Sequence, residues 1–157
     1  MEKACDILIA GGGPAGLAAA ITLRQRGADV LLADSLQPPI DKPCGEGLMP
    51  DSRRDLASLG VEPDTRHGAE FRGILFAADE AHVSAEFPRP MLTSAGIGVR
   101  RTILHRLLLE RARDLGVRTL WGTPVTLRTG QPAAIDSQPL TYRWLIGADG
   151  HASRVRA

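Results

Sequence analysis

The chain opens with short apolar runs punctuated by glycine, and their order predicts a parallel sheet. Asp6-Ile-Leu-Ile-Ala10 is a continuous apolar run closed by three glycines, the pattern of a strand buried on both faces. From Pro14 to Arg26 the spacing turns helical, with Leu17, Ala20, Ile21 and Arg24 on one side. Proline suits the first helical turn, and Gly27 suits the position just past the last. Ala28 to Asp34 predicts a second buried strand. Together these residues make a strand–helix–strand unit, for which a right-handed parallel crossover is expected.

The alternation then breaks. Residues 35–49 form a loop rich in proline and glycine, and Pro50 to Leu59 predicts a short helix ending at Gly60. Phe71–Ala77 and His82–Phe87 read as strands of an antiparallel excursion. Arg101 to Leu115 predicts an amphipathic helix with Leu104, Leu107, Leu108 and Leu115 on one face and Gly116 as its stop. Val117–Trp121, Val125–Arg128 and Trp144–Ala148 predict further strands, the last running into Gly147-Ala-Asp-Gly150. Trp121 and Trp144 fall in strand patterns and are read as core.

Composition narrows the possibilities. With 157 residues, 43% apolar and 24% charged, the chain is an ordinary globular one, long enough for one domain and hardly for two. A net charge of +1 excludes a global field for nucleic acid. The arginines around 101–118 (Arg100, Arg106, Arg111, Arg113, Arg118) interleave with Glu110 and Asp114 and read as a solvated helix face. Cys5 and Cys44 make no disulfide framework, and no metal site is read from the dispersed His67, His82, His105 and His151. No run approaches the roughly 18 apolar residues of a membrane span. Nor does the start of the chain leave room for a signal peptide, so a reduced cytoplasmic setting is expected.

The candidate chemistry lies in the first turn. Gly11-Gly-Gly13-Pro-Ala-Gly16 fits G-x-G-x-x-G between a strand and a helix. The first glycine permits the tight turn, the second lets a diphosphate approach the backbone, and the third lets helix and strand pack closely. The helix start offers N–H groups and partial positive charge to an anion. Asp34 follows Gly16 by eighteen residues, where a carboxylate can accept hydrogen bonds from ribose hydroxyls. These features point to a bound dinucleotide rather than a ligand-free turn. The turn alone does not separate NAD from FAD. The long loop and antiparallel strands after the second strand, in place of another helix and parallel strand, favour FAD.

Three segments in one order carry a family resemblance: D-I-L-I-A-G-G-G-P-A-G-L-A-A-A, G-V-R-R-T-I-L at a helix start, and the closing W-L-I-G-A-D-G-H-A-S-R-V-R. From about residue 4 to its end the chain resembles the flavoprotein monooxygenases of the para-hydroxybenzoate hydroxylase fold, a group that also includes geranylgeranyl reductases and flavin-dependent halogenases. The implied fold is α/β: a Rossmann-like FAD-binding domain with a parallel sheet plus an antiparallel β excursion, truncated. Residues 1–157 would then be the N-terminal part of one FAD/NAD(P)-binding domain. The resemblance implies FAD as cofactor, NAD(P)H as electron donor and a small-molecule substrate.

Residue by residue, the resemblance implies that Gly11, Gly13 and Gly16, with Pro14 and Ala15 between them, hold the FAD diphosphate, and that Asp34 holds the adenosine ribose. Arg101, opening the R-x-x-L pattern completed by Leu104, would lie near the diphosphate or ribityl chain. Asp149 and Gly150 would sit close to the flavin and the path of the nicotinamide donor. Two departures stand out. The ribose-binding acid is usually Glu and here is the shorter Asp34, and the often basic residue after it is Ser35.

Lys42-Pro-Cys-Gly-Glu-Gly47 resembles the loop that geranylgeranyl-reductase-like members place beside the flavin ring. Gly45 and Gly47 would allow close approach to the ring, Cys44 can face it, and Glu46 can hydrogen-bond ring or substrate. The plainer reading is a turn with a small buried cysteine and a solvated glutamate. No catalytic residue is assigned beyond Cys44 and Glu46 as candidates. Family members continue beyond Ser153-Arg-Val-Arg156, so a C-terminal half or a partner chain is expected to complete the protein. The expected activity is NAD(P)H-dependent oxygenation of a small organic substrate. The alternatives are reduction of prenyl double bonds and a non-catalytic FAD-binding fragment.

Overall fold

The computed structural model describes residues 4–88, 95–128, 130–135 and 138–156; Met1–Lys3, which enter the reading of the N-terminus, and Ala157 lie outside them. The opening apolar run forms β1 (Ala4–Ala10), followed by α1 (Pro14–Gln25) and β2 (Val30–Asp34). Next come β3 (Gly47–Leu48), α2 (Pro50–Ser58), β4 (Gly68–Phe71), β5 (Gly73–Ala78), β6 (Ala81–Glu86) and β7 (Gly96–Val99). The chain continues as α3 (Arg101–Asp114), β8 (Arg118–Trp121), β9 (Val125–Thr126), β10 (Ala134–Ile135), β11 (Gln138–Pro139) and β12 (Thr141–Gly147). It divides into two compact units, residues 1–41 with 105–157, and residues 42–104.

The first unit is built on a parallel four-stranded sheet in the order β12-β1-β2-β8. Its two central strands are almost wholly buried, which is why they read as unbroken apolar runs. Helix α1 packs on β1 and β2 and buries Gly16, Leu17, Ala20 and Ile21, the face its spacing predicts. Arg24, on the same side, donates through Nε to the Leu115 carbonyl at 3.0 Å. A second apolar cluster joins Leu8, Leu31 and Ala33 to Ala133, Ile135 and Leu140 around the small antiparallel sheet β11-β10-β9. Arg118 closes the edge by pairing with Asp29 at 2.6 Å and donating to the Ala4 carbonyl.

The second unit holds the antiparallel sheet β3-β7-β4, α2 packed against β3 and β7, and the separate hairpin β5-β6. Val61, Ala95, Ile97 and Val99 form its buried apolar centre. Arg53 ties it together by pairing with Glu70 at 2.8 Å and donating to the carbonyls of Ala95 and Pro63. The antiparallel excursion is present, with its first strand beginning two residues later than expected.

Several expectations need correction. The buried face of α3 is His105, Leu108, Leu109 and Ala112, while Leu104 and Leu107 are only half-buried. Those four follow i, i+3, i+4, i+7 spacing, so the helical face is real, but a histidine stands at its head. Trp144 is 67% exposed rather than core, because β12 is an edge strand and this side chain has no covering layer among the described residues. Val125–Arg128 shortens to two paired residues. Strands β4 and β7 escape the hydrophobic pattern because they are short and rich in glycine. At Gly96 a side chain would run into the Phe71 ring.

Candidate functional site

The carboxyl ends of the parallel strands finish level with one another: Ala10 pairs with Gly147 and with Ala33, and Asp34 pairs with Trp121. Ligands of open α/β sheets bind beyond these ends, where the strand order reverses. Here β2 and β8 lie to one side of β1 and β12 to the other, so the reversal falls between β1 and β12. Gly11 stands at that place with φ of 111°, and a Cβ there would collide with the Ala148 carbonyl. Only glycine meets both demands. The turn is stapled on both sides: Gly11 N–H donates to Ala33 O at 2.8 Å, and Ala148 N–H donates to Ala10 O at 2.7 Å.

Gly13 is the residue before α1 and Pro14 opens the helix, which has no side-chain cap and no acid in its first turn. That end therefore presents backbone N–H groups and positive partial charge without a side-chain cap among the described residues. Ala15 is exposed, whereas Gly16 is buried so close to the Gly11 carbonyl that a side chain would not fit.

The Asp34 carboxylate already has work within the protein. Its Oδ2 accepts the Gly12 N–H at 2.7 Å and its Oδ1 accepts the Leu36 N–H at 2.8 Å. Each oxygen keeps lone-pair capacity for a further donor such as a ribose hydroxyl. Asp34 thus couples the glycine turn to the end of β2.

Asp149 and Gly150 follow β12. Asp149 Oδ2 accepts the N–H groups of Arg154 at 2.6 Å and Val155 at 3.3 Å, and Gly150 turns the chain with φ of 86°. Burial by itself raises the Asp149 pKa. Hydrogen bonds from the Ser153 hydroxyl and the following backbone outweigh it and hold the carboxyl below its ordinary range. Its second oxygen, Oδ1, is buried and has no hydrogen-bond partner among the described residues.

The second unit gathers Cys44, Gly45, Glu46 and Arg101. Cys44 is exposed, not a buried small hydrophobe, and its Sγ accepts the Glu46 N–H at 3.5 Å. Gly45 is exposed with open space around its α-carbon. Glu46 adopts a left-handed backbone at φ of 55°; its carbonyl accepts the Val99 N–H, and its Oε1 accepts the Arg101 N–H at 3.0 Å. The glutamate is therefore the anion at the start of α3 rather than a merely solvated side chain. Arg101 Nε is buried with no hydrogen-bond partner among the described residues.

Two residues at the glycine turn belong to no site motif in the sequence. His105, fully buried, places Nε2 2.8 Å from the Gly12 carbonyl. Trp121 stands edge-on to His105, ring centres 6.0 Å apart, and its indole fills the space beside Gly12. The spacing of His105 within an apolar helix face was the available signal. No group of histidines, cysteines or acids able to hold a metal occurs among the described residues.

This arrangement fits a dinucleotide. An uncapped helix start lies behind a turn that excludes side chains, an acid closes the turn from the neighbouring strand, and a buried Asp149 oxygen lacks a donor among the described residues. Residues 4–157 match the profile of the FAD binding domain. The chain is 37% identical over 167 residues to a menaquinone reductase of Mycolicibacterium smegmatis, covering 99% of this chain and 40% of that protein. It is 32% identical to a menaquinone reductase of Mycobacterium tuberculosis, covering 98% and 39%. Among solved structures, 2-methyl-3-hydroxypyridine-5-carboxylic acid oxygenase superposes with a TM-score of 0.78 at 27% identity, over 96% of this chain and 41% of that one. PqsL of Pseudomonas aeruginosa, described as a probable FAD-dependent monooxygenase, gives 0.78 at 23% identity over 98% and 44%, a likeness of fold. The chain spans about two fifths of the length of these relatives.

Proposed function

The chain belongs to the FAD binding domain family, and from that premise we propose that it is the flavin-holding part of an NAD(P)H-dependent monooxygenase acting on a small organic substrate. The observation that carries this reading is the Gly12 N–H held at 2.7 Å by Asp34 beside an uncapped helix start, at the carboxyl ends of adjacent parallel strands. Bound FAD would supply the redox chemistry, taking a hydride from NAD(P)H and passing electrons to dioxygen.

The residues of this chain bind and orient. Gly11, Gly13, Pro14, Ala15 and Gly16 would seat the diphosphate against backbone N–H groups, and the remaining lone pairs of Asp34 would accept the ribose hydroxyls. Asp149, ionised at neutral pH, would offer its unpartnered oxygen as an acceptor beside Gly150. The roles of Gly45 and Arg101 rest on the family resemblance, and the buried Nε of Arg101 is a donor suited to phosphate. We read residues 1–157 as the N-terminal portion of one FAD/NAD(P)-binding domain, with the substrate-covering part supplied by further chain or a partner. Two unpaired cysteines accord with a cytoplasmic setting. No helix among the described residues is long and apolar enough to cross a membrane.

A second reading is reduction of a carbon–carbon double bond, in the manner of geranylgeranyl-reductase-like flavoproteins. It rests on the resemblance of the Lys42–Gly47 loop; relatives at 32–37% identity are reductases by name, and others at 27–29% are hydroxylases by name. Oxygen consumption coupled to NAD(P)H oxidation by the full-length protein distinguishes the two. Stoichiometric oxygen uptake with substrate supports oxygenation, whereas turnover under anaerobic conditions supports reduction.

A further inference from the structure

His105 is fully buried, yet the mechanism above leaves it unused. A buried imidazole is costly unless its polar atoms are bonded. Its Nε2 lies 2.8 Å from the Gly12 carbonyl, across 93 residues of chain. A carbonyl oxygen only accepts, so Nε2 carries the proton. Gly12 is thus held at both polar groups: its N–H donates to Asp34 and its C=O accepts from His105. Trp121, edge-on to the imidazole, fills the space in which a Gly12 side chain would lie.

We propose that His105 is a positioning residue for the diphosphate turn, holding the Gly12 carbonyl so that the glycine backbone is ordered before the cofactor arrives. The role rests on the cofactor reading above. A run of three glycines has much conformational freedom to lose on binding. A turn already ordered in the folded chain removes that cost from the affinity. His105 acts through the backbone of Gly12 and needs no contact with the cofactor.

The test uses the full-length protein stripped of flavin, with H105Q, whose amide can still donate, and H105L, which cannot. Flavin-fluorescence quenching measures the FAD Kd, urea unfolding of the apo form measures stability, and nitrogen-15 NMR of the wild-type imidazole reads its tautomer. The loss of one buried hydrogen bond is expected to weaken FAD binding by H105L about tenfold, with H105Q within about threefold of wild type. The wild-type apo protein should show an Nε2-protonated ring. An unprotonated Nε2, an H105L that binds FAD as tightly as wild type, or an H105Q as weak as H105L would each overturn the role. Should H105L not fold, the wild-type tautomer and the H105Q affinity decide. Failure of the wild-type protein itself to bind FAD would instead overturn the cofactor reading, and this role with it.

Discussion

The indole of Trp121 occupies the space in which a side chain on Gly12 would begin. In a G-x-G-x-x-G turn the second position is open to many residues, but here a ring from the end of β8, two strands away from β1, closes it. Gly12→Ala should therefore cost about 1–3 kcal/mol through overpacking. Urea unfolding measures it. Combining Gly12→Ala with Trp121→Leu should recover part of the loss, since the two sites share one volume and their effects are not additive.

Asp34 is expected to matter to the fold as well as to the ligand, because it accepts two backbone N–H groups. Asp34→Ala leaves both donors without their acceptor and should lower stability by about 1–3 kcal/mol even without flavin. Asp34→Glu should cost less, because a longer carboxylate still reaches Gly12 but forfeits the local turn with Leu36, which suits a short acid. Unfolding of the apo protein reads both; equal stability of wild type and Asp34→Ala would refute the claim.

The hydrogen bonds to Asp149 give stability a pH dependence whose sign follows from its depressed pKa. Its contribution is fully present above the unfolded carboxyl value, about 3.9, and is lost as pH falls through the lower folded value. The gap in stability between wild type and Asp149→Ala should be constant near neutrality and shrink below about pH 4. Thermal unfolding across a pH series provides the check.

Glu46 supplies the carboxylate that accepts the first N–H of α3. Glu46→Ala should cost about 0.5–2 kcal/mol, in the range of a lost helix cap. Amide exchange at Arg101 should quicken. Glu46→Gln, retaining an acceptor without charge, should lie between.

Both faces of the hairpin β5-β6 are exposed and one is wholly apolar: Ile74, Phe76 and Ala78 alongside Ala81, Val83 and Ala85, with Phe76 64% and Val83 67% exposed. Phe76→Ser should change the stability of residues 1–157 by no more than about 0.5 kcal/mol. It should also reduce self-association, since such patches promote it. Light scattering and urea unfolding of the same samples test the pair of outcomes.

Local chemistry made much of this legible. The glycines at 11, 13 and 16, the proline opening α1 and the acid ending β2 each announce a backbone conformation or charge needed within a few residues. The parallel unit followed from them. His105, Trp121 and Glu46 were not legible in the same way. Their partners lie 93 residues away for His105 and 55 for Glu46, and no periodicity marks such pairs. Strands β4 and β7 were missed because glycines that make room for Phe71 and for neighbouring backbone read as loop.

What the order of residues determined by itself is the strand–turn–helix–strand unit, since hydrophobic runs, glycine φ freedom and helix-end charge act over short stretches of chain. Tertiary structure alone decided which groups brace that turn. A hydrogen bond or a packed ring acts over a few ångströms in space, and only the folded sheet brings Gly12, Asp34, His105 and Trp121 within that distance.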